Sequence, residues 1–220
     1  MVFVRTKLML NLVLFLFLCD IIKNIVNKKQ KGQTQMKFVK LIKKVENKYL
    51  NFYVAQYEDK KPLEYYFVSR RTGDNVQKSD FCDAVKVLPY IKETDEIVFI
   101  KNFRYAVNNF VYEVPAGLVD ENETPQHAAQ REVMEEIGAE IITLKKVLKA
   151  GFTSVGLTDE TNELYFAEVK LTGFQHLDEH ENISIIKVKT KDVENFLQTH
   201  TCDLVSALMA KYFVALNQKK

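Results

Sequence analysis

The spacing of apolar residues changes several times along this chain, and each change marks an element. Residues 8–19 form an almost unbroken run of Leu, Val, Phe and Met behind Arg5 and Lys7. From Met36 onward, β-branched and aromatic residues cluster at 37–45, 50–57 and 63–69, with polar breaks at Asn47-Lys48 and residues 58–61. That pattern predicts a small antiparallel sheet, and Thr72-Gly73-Asp74 turns out of it. Further strands are expected at 85–91 and 96–100 around a turn at 92–95, then at 111–114, 141–148, 163–169 and 183–188. Thr124 can cap a helix, Pro125 suits its first turn and Gly138 can end it, so a helix is expected over 125–137. A short helix at 191–198 and a longer one at 202–216 close the chain, the latter with Leu204, Val205, Leu208, Tyr212 and Ala215 on one face. This order predicts an α/β protein, an α/β/α sandwich preceded by a small N-terminal β subdomain.

The 220 residues are 47% hydrophobic, enough for a full core, and divide into three expected parts. These are an apolar extension over 1–35, a β subdomain over 36–84 and a main domain over 85–217. The net charge of +2, with lysines scattered apart from Lys28, Lys29 and Lys31, gives no electrostatic case for a nucleic-acid partner. Cys19, Cys82 and Cys202 form no CxxC pair, which fits a reduced, cytoplasmic chain. The apolar extension has three readings, one of them a buried structural helix. It resembles the core of a signal peptide or a short anchor, and membrane association follows only if residues 8–22 are such an anchor; a spanning helix wants about 20 apolar residues. Alternatively translation starts at Met36, because the Lys31-Gly32 codons, AAR-GGN, contain a purine-rich ribosome-binding sequence three codons upstream.

The 125–137 helix carries the chemistry. Glu132 and Glu136 share a face, and Glu135 can swing towards them. Like charges this close repel unless a cation is present, and their hard oxygens suit Mg²⁺ or Mn²⁺, with phosphate oxygens completing the shell.

With its preceding loop, this helix resembles the Nudix box, G-x5-E-x7-R-E-U-x-E-E-x-G-U, where U is a bulky aliphatic residue. Gly117, Glu123, Arg131, Glu132, Val133, Glu135, Glu136 and Gly138 all fall in register; Ala139 is smaller than the last position expects. The resemblance implies that Glu132, Glu135 and Glu136 bind the divalent cations that activate water against a diphosphate, with Glu136 foremost. It gives Glu123 and Arg131 a salt bridge orienting the loop against the helix.

The flanks resemble ADP-ribose pyrophosphatases. Glu113-Val114-Pro115-Ala116-Gly117 and Asp120 match E-x-P-A-G-x-x-D, and Asn102-Phe103-Arg104 is similar to Q-F-R. That resemblance implies a metal-ligand role for the Ala116 carbonyl, diphosphate binding by Arg104, and a homodimer formed through the N-terminal sheet. A guanidinium fork matches phosphate oxygens. Ser154-Val155-Gly156-Leu157-Thr158-Asp159-Glu160 is similar to the S-P-G-x-T-x-E loop, except that Val155 replaces proline; Glu160 there could face phosphates or metals. The acidic stretch 178–181 resembles the loop supplying a general base, with Glu181 favoured and Glu179 as alternate. The expected activity is hydrolysis of a nucleoside diphosphate sugar, ADP-ribose to AMP and ribose 5-phosphate foremost. The alternatives are another nucleoside diphosphate derivative as substrate, or a non-catalytic nucleotide sensor of the same fold.

Overall fold

The computed structural model describes residues 36–58, 61–177 and 182–217. The apolar run at 8–19 and the acidic stretch 178–181, with Glu179 and Glu181, lie outside the described residues.

Three strands, β1 (Lys37–Val45), β2 (Asn51–Glu58) and β3 (Leu63–Ser69), form an antiparallel sheet in the order β1-β2-β3. The larger sheet contains β4 (Ala84–Ile91), β5 (Glu96–Arg104), β6 (Asn109–Glu113), β7 (Ala116–Leu118), β8 (Ala139–Phe152), β9 (Thr161–Leu171) and β10 (Ile183–Lys189). Its main order is β10-β5-β4-β9-β8, with β6 on β5 and β7 on β4. Among the described residues the α-helices are α1 (Pro125–Ile137), α2 (Val193–Thr199) and α3 (Leu204–Asn217).

Alternation along the central strands builds three layers, because successive strand side chains point to opposite faces. Val85, Val87, Val98 and Ile100 are fully buried in a core with Ala128, Ala129, Val133 and Ile137 of α1. Leu88, Ile97, Phe99 and Phe166 pack on the other side with Val193, Phe196, Met209 and Ala210 of α2 and α3.

One irregularity positions the site. β4 and β5 pair only at Tyr90–Ile97 and Ile91–Glu96. Beyond that point β4 turns its edge to β7 and β5 turns its edge to β6. The two central strands diverge, and the β6–β7 connection through Val114 and Pro115 crosses the gap, tied down where Val87 N donates to Pro115 O at 2.9 Å.

The chain divides into two compact units. Of the described residues, one holds those up to Lys44 and those within Tyr53–Tyr66; the other holds Val45–Phe52 and those from Phe67 onward. This differs from the boundary expected at 84/85. Residues 67–83 go with the larger unit because Val68 N donates to Leu157 O and Arg71 pairs with Asp83.

Other departures have local causes. β5 runs past residue 100 to Arg104 because β10 and β6 pair with its two edges despite its polar side chains. β7 is too short to carry a period. β8 extends beyond 141–148 at both ends, with bulges that break its alternation. The face expected to pack on α3 is largely outward: Leu204, Leu208 and Tyr212 are 72%, 58% and 52% exposed. Ser206, Met209 and Ala210 are buried instead. Small residues at 206 and 210 let the helix approach the sheet closely, and Ser206 Oγ accepts from Val114 N at 3.0 Å. Among the described residues, no helix is long and apolar enough to cross a membrane.

Candidate active site

Helix α1 starts where Thr124 accepts a bond from His127 N at 3.3 Å, with Pro125 in the first turn. It stops at Gly138, whose φ of +57° lies in the left-handed region and whose N–H returns to Met134 O. A β-carbon there would also strike the backbone of Phe174. Packing of Ala128, Ala129, Val133 and Ile137 on the sheet turns Glu132 and Glu136 toward β7, leaving them 8% and 3% exposed.

Each buried carboxylate meets the loop at a defined place. Glu136 Oε2 accepts from Ala116 N at 3.0 Å. The carboxylate of Glu132 fills the space where a β-carbon on Gly117 would stand, so glycine is required there for Glu132 to lie flat against the strand. Arg131 ties the rest together. Its Nε and Nη2 donate to the two oxygens of Glu123 at 3.1 and 3.0 Å, and Nη2 also reaches Leu118 O at 2.9 Å. Nη1 donates to Glu132 at 2.6 Å and Glu135 at 3.1 Å. Bonds donated to Glu123 raise the Arg131 pKa despite burial, with Glu132 and Glu135 adding to the effect. In return, Arg131 holds Glu123 below the usual carboxylate range.

The donor set is one of hard anionic oxygens, and the cradle left by Gly117 is shaped around one of them, which fits a divalent cation of the Mg²⁺ or Mn²⁺ kind. The arrangement differs from a converged metal cage. Among the described residues no three His, Cys, Asp or Glu side chains are arranged so as to hold a metal ion. Glu132 and Glu135 instead share the guanidinium of Arg131.

A second charged cluster occupies the gap between β4 and β5. Arg104, ending β5, grips Glu113 of β6: Nη2 donates to Oε2 at 2.8 Å, and Nε lies 2.7 Å from Oε1. The latter is an ion contact outside hydrogen-bond direction, so Oε1 is close to positive charge yet receives no directed bond. Glu113 is 3% exposed, whereas the Arg104 side chain is 47% exposed. Burial pulls the Arg104 pKa down, but Glu113 outweighs it, followed by the charges of Glu136 and Asp203. Behind Glu113, Lys86 Nζ sits 2.9 Å from Asp203 Oδ2 and 3.9 Å from Glu113 Oε2. Asp203 also accepts from Ser206 N and Oγ. Burial would raise its pKa; Lys86 and Ser206 reverse that and hold it low.

A family model for the NUDIX domain matches residues 80–201, which contain the glutamates and arginine of α1 and, of the second cluster, Lys86, Arg104 and Glu113. The chain belongs to the Nudix family. An ADP-ribose pyrophosphatase of Bacillus subtilis is 32% identical over 120 residues, covering 53% of this chain and 63% of that protein. The match therefore spans a little under two thirds of that relative. An ADP-ribose pyrophosphatase of Escherichia coli K12 is 28% identical over 145 residues, covering 62% of this chain and 69% of its own. The fold is also that of a crystal structure of an ADP compounds hydrolase, at a TM-score of 0.64 and 16% identity over 84% of this chain and 96% of that one.

Within this Nudix chain, Glu160 is bonded to partners outside α1. Arg70 Nε donates to its Oε2 at 2.6 Å, and Thr153 Oγ1 approaches it at 3.5 Å. Val155, in the preceding loop, is 75% exposed; it is the second residue of a turn that closes as Leu157 N and Thr158 N both donate to Ser154 O. Where β4 begins, Arg71 is buried against Asp83, with Nε to Oδ1 at 2.8 Å and Nη2 to Oδ2 at 2.5 Å. Thr161 joins both residues. Sequence reasoning gave no role to Lys86, Glu113, Asp203, Arg70 or Arg71. The available signal was Lys86 itself, a charged residue inside an otherwise apolar strand.

Proposed function

We propose that this Nudix protein hydrolyses the diphosphate bond of a nucleoside diphosphate sugar, ADP-ribose foremost, to AMP and ribose 5-phosphate. The observation that carries the reading is the seating of Glu132 and Glu136 against Gly117 and Ala116, with the Arg104 guanidinium within electrostatic reach of Glu136. The likeness to ADP-ribose pyrophosphatases of two bacteria supports the choice of substrate.

In this reading Glu132, Glu135, Glu136 and the Ala116 carbonyl hold the divalent cation, Mg²⁺ or alternatively Mn²⁺. When bound, it supplies charge to the phosphate oxygens and acidity to water. Arg131 keeps the loop and helix in one piece, so the carboxylates present a fixed set of oxygens. Arg104 offers a planar fork to the diphosphate and to the charge that develops on it. Glu181 is the proposed proton acceptor, with Glu179 as alternate. Glu160 is proposed to face the substrate with Arg70 orienting it. The protein acts as a homodimer in the cytoplasm.

The experiment is hydrolysis of a panel of nucleoside diphosphate sugars with Mg²⁺. Release of AMP from ADP-ribose is expected. Tight nucleotide binding with no cleavage of any panel member would instead establish the sensor reading.

A further inference from the structure

We propose that Lys86 is a positioning residue for Arg104: it stands as the second cationic partner of Glu113 and takes over that carboxylate when a ligand's diphosphate draws the guanidinium away. This rests on the reading that the site binds a nucleoside diphosphate.

The need for such a partner follows from the geometry. Arg104 turns its Nε–Nη2 edge to Glu113, with one directed bond from Nη2, so a diphosphate that takes this edge bidentately competes with Glu113 for it. Glu113 is 3% exposed, and a buried carboxylate stripped of its counter-charge is strongly disfavoured. Without a substitute cation, the clamp on Arg104 would oppose ligand binding.

Lys86 is placed to be that substitute. Its Nζ lies 3.9 Å from Glu113 Oε2, the same oxygen that Arg104 Nη2 holds, which is within ion-pair range but beyond a hydrogen bond. An ammonium has three donors, so it can keep Asp203 at 2.9 Å and still close on Glu113 to about 2.9 Å. The tether is rigid: Asp203 accepts from Ser206 N and Oγ, and Ser206 Oγ accepts from Val114 N, the residue after Glu113. Packing alone does not ask for a lysine here. Its neighbours Ala84, Val85, Val87 and Leu88 are buried and apolar, and the Lys86 side chain is 10% exposed. With Arg104 on Glu113, two cations face the carboxylates of Glu113 and Asp203; with Arg104 on a phosphate, Lys86 is left to serve both.

A double-mutant cycle tests this. Lys86→Met is expected to raise KM for ADP-ribose at least tenfold and to lower kcat as well, because Arg104 holds both the bound diphosphate and the charge that develops on it. In a Glu113→Gln background, where position 113 carries no charge to rescue when Arg104 moves, Lys86→Met should change KM less than twofold. Lys86→Arg should restore most of the loss. Calorimetric titration with ADP and Mg²⁺ repeats the cycle without turnover, and melting temperatures are recorded for every variant. If Lys86→Met does not fold, Lys86→Gln, which keeps a neutral donor for Asp203, replaces it. Equal losses in the two backgrounds would make Lys86 a structural anchor for α3 and overturn the proposal while leaving the hydrolase reading intact. The cycle pattern in ADP binding, with no hydrolysis of any sugar nucleotide, would sustain the proposal and refute the hydrolase reading. Failure of the parent to bind ADP would overturn both.

Discussion

The carboxylate of Glu132 lies on the α-carbon of Gly117, in the space a β-carbon would take. At Gly117, helix and strand therefore meet with only the Glu132 side chain between them, and the first glycine of the box is explained by the glutamate it accommodates. Gly117→Ala puts a methyl group into the far end of a flexible side chain, which can swing aside at little cost to the fold. The expected result is a melting temperature within a few degrees of the parent and turnover reduced at least tenfold, about 1.4 kcal/mol in activation free energy. A fully active alanine variant would show that the seat of Glu132 does not matter to the reaction.

Glu136→Gln separates charge from shape. The amide oxygen can still accept from Ala116 N, so the fold should survive, but the anionic oxygen that a hard divalent cation requires is gone. Turnover is expected to drop by orders of magnitude. A value within about threefold of the parent, well under the 1.4 kcal/mol of a tenfold change, removes Glu136 from the mechanism.

Acid should weaken the protein through Asp83. Burial alone would raise its pKa, but Arg71 and Thr161 reverse this and hold it below 3.8. A carboxylate depressed in the folded state contributes stability that is complete above its unfolded pKa and lost as pH falls through the folded one. The window therefore opens near pH 4 and extends downward. Asp83→Asn leaves Arg71 buried without its partner and should cost about 3 kcal/mol at pH 7. That cost should shrink below pH 4 in denaturant titrations; a pH-independent difference would assign it to packing.

The three-stranded sheet exposes Phe38, Val39, Tyr65 and Tyr66, at 48%, 46%, 40% and 52%. A small sheet with apolar residues on its surface is marginal alone and gains by pairing with a second copy. Sedimentation equilibrium should give twice the 25.6 kDa chain mass. A monomer mass at every concentration would rule out this dimer.

Val155 bears on substrate choice. It occupies the second position of a turn closed on Ser154 O, where proline is favoured, so Val155→Pro should fold normally and stiffen the loop. The parent is expected to cleave ADP-ribose and at least one other nucleoside diphosphate sugar within about a hundredfold in kcat/KM, under about 3 kcal/mol, and the proline variant to widen that gap. Strict preference for ADP-ribose in the parent, unchanged in the variant, would show that position 155 does not set specificity.

The sequence by itself determined what depends on near neighbours. Helix α1 was legible to the residue because its cap, its first-turn proline and its closing glycine are local signals, and the facing of Glu132 and Glu136 follows from helical spacing. The strands were legible from their alternation wherever one face is buried. What only the tertiary structure decided are matters of approach between distant segments. The outward face of α3 is one: that helix is apolar nearly all round, so spacing could not choose a side, and the small Ser206 and Ala210 chose it by allowing close contact with the sheet. The cluster of Arg104, Glu113, Lys86 and Asp203 is another. Its members come from β5, β6, β4 and the start of α3, and they meet because two central strands part after two paired residues. No spacing along the chain encodes that divergence, which arises from how β6 and β7 compete for the strand edges.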